Sequence, residues 1–325
     1  MTYKPFLKKF QSAYVRKNAF SGVLNIFSFL LIVGICVLFL FPTVYCILVA
    51  FQSPETVNDP GVILVPKYFS FESIRVIWDV LDMGNAYLYT AVSTIFSTIG
   101  TVISCSLVGY SLARYQYKEK FLVFFVVLLM IVIPPQTLQT AQFLNYSFFD
   151  FGGILKLLAP ITGKSSVSLI NTLWVYILPA FFAQGIKAGI FIFIFRQFFL
   201  GIPKNLEEAA SIDGCGAWGT FIRIVIPMTA PAFVTVILFS IVWHWTDYYN
   251  SVAYFTEQRV LLGQAVKDIG TLLSREGYLA DQYNYYDART FVQAATFLLI
   301  APLMVMYVFL QKYFTESIER SGLVG

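Results

Sequence analysis

Few side chains in this sequence are equipped for catalysis, and their spacing argues against it. His244 is the only histidine. A Ser-His-Asp triad or a histidine-based metal site would have to rest on it alone, which makes hydrolase chemistry improbable. The four cysteines, Cys36, Cys46, Cys105 and Cys215, contain no C-x-x-C pair, and three of them lie in apolar runs. They read as buried thiols, with neither a disulfide framework nor a zinc site indicated. Gly163-Lys164-Ser165 looks like the end of a phosphate loop. The first glycine that the G-x-x-x-x-G-K-S/T spacing demands would fall at Leu158, so the motif fails. No catalytic residue, metal ligand or cofactor is therefore expected on this chain.

What remains is recognition chemistry. Lys187 stands inside an otherwise apolar stretch, and a charge at the centre of a membrane helix costs about 2.5–3.5 kcal/mol on insertion scales. Either a structural partner or snorkelling offsets that cost, or Lys187 faces a wet path and touches substrate. Trp243, His244, Trp245, Asp247, Tyr248, Tyr249 and Asn250 form a second group. Aromatic faces with amide and carboxylate groups suit sugar rings, but Trp and Tyr also gather at any membrane interface. Of these, Lys187, Trp243, Trp245, Asp247 and Asn250 are the candidates for a substrate path.

The third group is a polar segment, residues 201–227. Pro203 suits the first turn of a helix, and Glu207 and Glu208 suit the positive end of its dipole. Leu206, Ala209, Ala210 and Ile212 supply a small apolar face, and Gly214 permits the left-handed residue that ends a helix. Phe221 to Ile226 then returns to an apolar run, with Pro227 marking the start of the next span. The spacing predicts a short amphipathic helix, a glycine turn and a re-entry. Its polar side is acidic, which argues against anionic lipid and favours docking into a partner's groove.

The elements that position these groups are membrane helices. Of 325 residues, 58% are hydrophobic and only 12% charged, against about 25% charged in soluble domains. That excludes a single water-soluble globule, and disorder with it. The net charge of +4 comes with no basic run interleaved with aromatics, so nucleic acid is not an expected partner. Charge-free runs lie between Lys17 and Glu55, Asp82 and Arg114, Lys120 and Asp150, Lys164 and Lys187, Arg223 and Asp247, and Arg289 and Lys312. About 20 apolar residues span the hydrocarbon core. The fourth run reaches that length if Lys187 is tolerated inside one long helix from Leu173 to Leu200. Six transmembrane helices are therefore expected, over 24–50, 86–112, 121–142, 171–199, 222–246 and 290–311. Pro134-Pro135 should kink or break the third. The first is too long for a cleavable signal peptide.

With the N-terminus inside, internal segments and helix ends hold 13 Lys and Arg and the longer outer loops 8. Both termini cytoplasmic is the favoured topology. The domain layout is a cytoplasmic segment 1–23, a six-helix transmembrane domain 24–311 with a cytoplasmic loop at 200–221, and a cytoplasmic tail 312–325.

Glu208-Ala209-Ala210, then Asp213-Gly214, then Ile224-Val225-Ile226-Pro227, resembles the EAA loop of ABC importer permeases. Ile202-Pro203-Lys204-Asn205-Leu206-Glu207 sharpens the likeness to carbohydrate importers related to the smaller permease subunit of the maltose transporter. Leu112-Ala113-Arg114-Tyr115, Arg196-Gln197-Phe198-Phe199, Trp245-Thr-Asp-Tyr-Tyr-Asn250, Gln311-Lys-Tyr-Phe314 and Gly322-Leu-Val-Gly325 also fit. The resemblance covers about residues 20–325. It departs at Cys215, where the family has a small residue such as alanine, and in the segment Asn145–Ser168, which looks longer.

The resemblance implies an all-α, polytopic fold of the type I ABC importer permease. It implies a pair of separate ATP-binding subunits holding ATP and Mg, a second and different permease subunit, and a solute-binding protein outside the bacterial cytoplasmic membrane. Leu206, Glu207, Glu208, Ala209, Ala210, Asp213 and Gly214 would couple to the ATPase, with Glu208 the ionic contact and Ala209 and Ala210 the close-packing face. Tyr278, Tyr283, Tyr285 and Tyr286 would touch the binding protein or a neighbouring subunit. An ion-coupled secondary transporter is the alternative. It requires acids buried in mid-span, and the six runs contain no Asp or Glu. An integral-membrane enzyme would need a convergent catalytic set.

Overall fold

The computed structural model describes residues 4–56, 59, 65–163, 165–256, 261–277 and 288–322. The tyrosines at 278, 283, 285 and 286 and residues 323–325 lie outside the described residues. Among those described the protein is all-α. No strand forms, and the extended segments make only two isolated bridges, Gln52 with Phe69 and Phe149 with Val167.

The helices in chain order are α1 (Lys4–Ala50), α2 (Glu72–Val80), α3 (Met83–Arg114), α4 (Lys120–Val132), α5 (Pro135–Ser147), α6 (Ile154–Thr162), α7 (Trp174–Phe181), α8 (Ala188–Leu200) and α9 (Lys204–Ile212). They continue as α10 (Ala217–Thr220), a π-turn at Phe221–Val225, α11 (Ile226–Met228), α12 (Ala230–Trp245), α13 (Tyr249–Tyr254), α14 (Leu262–Lys267), α15 (Ile269–Arg275) and α16 (Ala288–Gly322). Three helical stretches are long and apolar enough to cross a membrane alone: Leu24–Ala50, Met83–Arg114 and Ala288–Lys312. Three bent pairs, α4 with α5, α8 with α9, and α10–α11 with α12, also pass the test of length and composition, each contributing at most one span, for up to six in all.

Two compact units make up the chain, Met1–Ile74 with Tyr285–Phe297, and Arg75–Asn284 with Leu298–Gly325. In the first, the Cys46 thiol donates to Gln293 O, and Phe51 meets the rings of Phe71 and Phe297 edge-on at 5.3 Å. The outward side chains of α1 from Leu24 to Phe41 are exposed, as suits contact with lipid.

The second unit is built around α3, which packs against α7, α8 and α12. Its buried face is made of small residues, among them Ser93, Ser97, Gly100, Thr101, Ser104, Cys105 and Gly109. Lipid is as apolar as a leucine side chain, so packing and hydrogen bonds, more than hydrophobic burial, hold such helices together. Small residues allow the close approach. Thr98 meets Ser240 at 3.0 Å, and Ser104 donates to Ala180 O at 2.6 Å. On α8, Phe191, Phe195 and Phe199 recur every four residues and are fully buried among Leu112, Val225 and Val236. A Cβ on Gly109 would lie 2.7 Å from Phe195 Cβ and 3.1 Å from Arg196 N. Gly109→Ala should therefore cost about 1–3 kcal/mol through overpacking, read as a lowered Tm of the detergent-purified protein. An unchanged Tm would mean that α3 and α8 are not locked at this contact.

Three expected spans are interrupted. The helix foreseen over 171–199 is not continuous. α7 ends at Phe181, Ala183 and Lys187 take left-handed backbone (φ 56° and 59°), and α8 starts at Ala188. Lys187 is consequently a helix-start residue and not a mid-helix one. In the third span, Pro135 pushes Pro134 into extended geometry (ψ 128°), and α4 and α5 meet at 106°. In the fifth, the bend of 79° falls at Thr229. Pro227 lies just before it within α11, and Pro231 starts α12.

Candidate functional site

Two places in the second unit gather the functional side chains. The first is the elbow where α8 turns into α9, a bend of 74°. Pro203, with extended backbone, starts α9. At its other end Gly214 has φ +82°. Cys215 N donates to Ala210 O at 2.9 Å and Gly214 N to Ser211 O at 3.2 Å. This crossed pair is a Schellman cap, and glycine fills its left-handed position at no steric cost.

The α9 helix has two unlike faces. Glu207 turns inward, where its carboxylate pairs with Arg114 Nε of α3 at 2.7 Å; the side chains are 19% and 6% exposed. Arg114 Nη2 also donates to Ile202 O at 2.6 Å, and Tyr110 Oη donates to Glu207 Oε2 at 3.5 Å. Charge and helix ends agree here: the cation ends α3 and the acid begins α9. Ala210 is buried beside them. Tyr110 in turn meets Phe199 edge-on at 5.7 Å and Phe221 at a tilt at 4.9 Å. The other face is open. Glu208, Ala209 and Asp213 are exposed, as are Leu206, Ile212 (87%) and, just beyond, Trp218 (66%).

The sequence-based set thus divides. Glu207 and Ala210 hold the helix against its own chain, while Leu206, Glu208, Ala209 and Asp213 are free to meet another. The expected face of Ala209 and Ala210 together is not one surface. Arg114 and Tyr110 belong to the site although sequence reasoning assigned them no role; a lone Arg closing an apolar span, with an unpaired Glu in the next internal loop, is the signal that finds them.

The second place is a cavity of about 400 Å³ among α4, α5, α7, α8, α12 and α13. Lys187 and Asn250 line it, together with Gln142, Tyr176, Gln184, His244 and Tyr254. Trp243 is not in the wall but faces Lys187, with the ammonium 6.0 Å from its ring centre. Asp247 stands one side chain behind the wall. Its carboxylate accepts from Tyr176 Oη at 2.6 Å and Asn250 Nδ2 at 3.2 Å, and its carbonyl accepts from Ser251 Oγ. Burial raises its carboxyl above the usual value, against those hydrogen bonds. Trp245 is remote in role: its Nε1 donates to Leu299 O at 2.9 Å and its ring faces Tyr87. Of the five path candidates, the structure brings Lys187 and Asn250 to one cavity with Trp243 and Asp247 beside them, and uses Trp245 as a structural tie. Tyr176, Gln142 and Tyr254 were not foreseen. Gln142 and Tyr176 lie on helix pieces next to the breaks at 133–134 and 182–187, and Tyr254 ends α13.

No group of three or more His, Cys, Asp or Glu able to hold a metal occurs among the described residues.

Comparison with known proteins gives a consistent picture. The model of the family described as binding-protein-dependent transport system inner membrane component matches residues 106–320. The polygalacturonan/rhamnogalacturonan transport system permease protein of Bacillus subtilis is 27% identical over 311 residues, covering 92% of this chain and 97% of that protein. The arabinooligosaccharides transport system permease protein of Halalkalibacterium halodurans is 27% identical over 306 residues, covering 92% and 98%. The melibiose/raffinose/stachyose import permease protein of Bacillus subtilis is 26% identical over 263 residues, covering 81% and 84%. Among solved structures, a bacterial ABC transporter involved in the import of the acidic polysaccharide alginate matches with a TM-score of 0.67 at 20% identity, over 92% of this chain and 98% of that one. That likeness establishes the fold.

Proposed function

This chain belongs to the family of binding-protein-dependent transport system inner membrane components, a multi-pass membrane permease, and from that premise we propose that it imports a sugar or oligosaccharide as one permease subunit of an ATP-driven transporter. The relatives named for polygalacturonan/rhamnogalacturonan and for arabinooligosaccharide transport match over nearly its whole length, which supports that substrate class. Both termini face the cytoplasm, in keeping with the cation bias. A solute-binding protein delivers the sugar from outside, a second permease subunit completes the path, and a pair of ATPase subunits holds ATP and Mg. This chain carries neither.

The observation that carries the mechanism is the two-faced α9. Its exposed face, with Glu208, Ala209, Leu206, Ile212 and Asp213, docks in a cleft of the ATPase. Its inner face is clamped to α3 through Arg114 and Glu207 and rests on the aromatic cluster of Tyr110, Phe199 and Phe221. A displacement of α9 by ATPase closure therefore moves the end of α3, around which the second unit is packed. Rocking of these helices alternates access to the cavity. Among the described residues no Asp or Glu lines the cavity, which counts against the proton- or sodium-coupled alternative.

The test is recruitment. Glu208→Lys reverses an exposed charge, and Gly214→Pro removes the left-handed turn, since proline fixes φ near −65°. Both should reduce co-purification of the ATPase, or uncouple hydrolysis from uptake in vesicles, by about tenfold or more. The helices should still insert. Wild-type recruitment and coupling in both variants would show that α9 is not the transmission.

A further inference from the structure

The segment Asn145–Ser168, where the sequence departs from its family likeness, has an architecture of its own. It closes on itself at Phe149 and Val167, which exchange both backbone hydrogen bonds at 2.8 and 3.0 Å, and Leu169 N donates to Tyr146 O at 2.8 Å. Above this neck Phe151, Gly152 and Gly153 all take positive φ, a sharp turn that leads directly into α6 at Ile154. An ion pair from Asp150 to Lys156, 2.8 Å long, ties the turn to the helix.

The two sides of α6 differ. Ile154, Leu157 and Ile161 fall at i, i+3 and i+7 and so share one stripe. All three are exposed, Leu157 at 81% and Ile161 at 84%. Lys156 lies on the opposite side. So does Pro160, which has no N–H for the Lys156 carbonyl four residues back. A carbonyl without its helix partner calls for water and is not tolerated against lipid. The depth of the loop follows from the helices after it. Resting on the topology of the importer reading above, α8 ends at the cytoplasmic elbow. The 8 residues of α7 and the 13 of α8 rise about 12 and 20 Å, which together match the roughly 30 Å of hydrocarbon. Trp174, the first residue of α7, therefore stands at the outer boundary of the membrane, and its 58% exposure suits the aromatic belt found there. The neck at Val167 is a short step before it along the chain. Phe148 and Phe151 are exposed beside that neck.

We propose that α6 lies flat in the outer boundary of the membrane, with Ile154, Leu157 and Ile161 among the lipid acyl chains and Lys156 turned to water. Depth, an apolar stripe and a polar back agree on this occupant. A docking surface for a soluble protein mixes polar groups with apolar ones, whereas the three stripe residues are all aliphatic.

The experiment uses the complete transporter in phospholipid vesicles with its binding protein present. An aryl-ketone photocrosslinking amino acid replaces Leu157, Ile161 or Lys156, one at a time, and the adducts are identified by mass spectrometry. Leu157 and Ile161 should each yield a phospholipid adduct, and Lys156 should yield none. Should one stripe variant fail to assemble, the other is read in its place. Adducts of the stripe with the binding protein or with the second permease subunit, no adduct at either stripe position, or equal lipid adducts at all three positions would overturn the proposal. Sugar uptake is read alongside. Uptake without a lipid adduct overturns the membrane contact alone, whereas lipid adducts on the stripe in a transporter that takes up no sugar keep α6 at the membrane and overturn the importer reading.

Discussion

Arg114→Met is expected to loosen α9 from the rest of the protein and to cost about 3 kcal/mol. Breaking one side of a buried ion pair typically costs about 3–5 kcal/mol, because the surviving charge is left without compensation. The lower end applies, since Glu207 retains partial access to solvent. The variant also removes the donor to Ile202 O, so the elbow loses two ties at once. Replacing both partners, Arg114→Met with Glu207→Met, should recover most of the stability, as apolar side chains of similar volume replace a buried pair at little net cost. Coupling should behave differently. The double variant keeps α9 folded but without its clamp, so substrate-stimulated hydrolysis should stay impaired. The measurements are Tm in detergent and coupled uptake in vesicles for the two single variants and the double. Equal Tm values in Arg114→Met and the double variant would mean that the pair is not a unit.

Phe195→Ala should destabilise the second unit by about 3–5 kcal/mol. Phe195 is fully buried, stacked on Phe199 with centroids 5.7 Å apart, and 4.7 Å from the Phe233 ring of α12. It also covers Gly109 of α3, so one ring serves three helices. Transfer to lipid is not what the mutation changes, because the bilayer is itself apolar. The loss is of close contacts around a cavity that the neighbours cannot fill. Phe121→Ala, an equal truncation at an exposed position of α4, is the control and should leave Tm unchanged. A similar Tm for both variants would show that α8 is held by something other than this packing.

Composition carried the class of this protein. Six runs without charge, polar loops between them and a bias in Lys and Arg are properties of local sequence, and a membrane reads them locally. The α9 segment was equally legible, since a proline start, an acidic first turn and a glycine stop act within ten residues of each other. Hence a short helix between Pro203 and Gly214 was legible in the sequence, and so was the break expected at Pro134-Pro135. The break at 182–187 was not. Nothing in Phe181 to Lys187 forbids a helix, and a left-handed alanine and lysine are tolerated only because the surrounding packing holds them. The division of labour between Glu207 and Glu208 was also invisible. Adjacent glutamates are alike in sequence, and which one faces inward depends on Arg114 and on Tyr110, a partner 97 residues away. The cavity has the same origin: Lys187, His244 and Asn250 line one space although they are far apart in the chain, and only long-range packing brings their helices together.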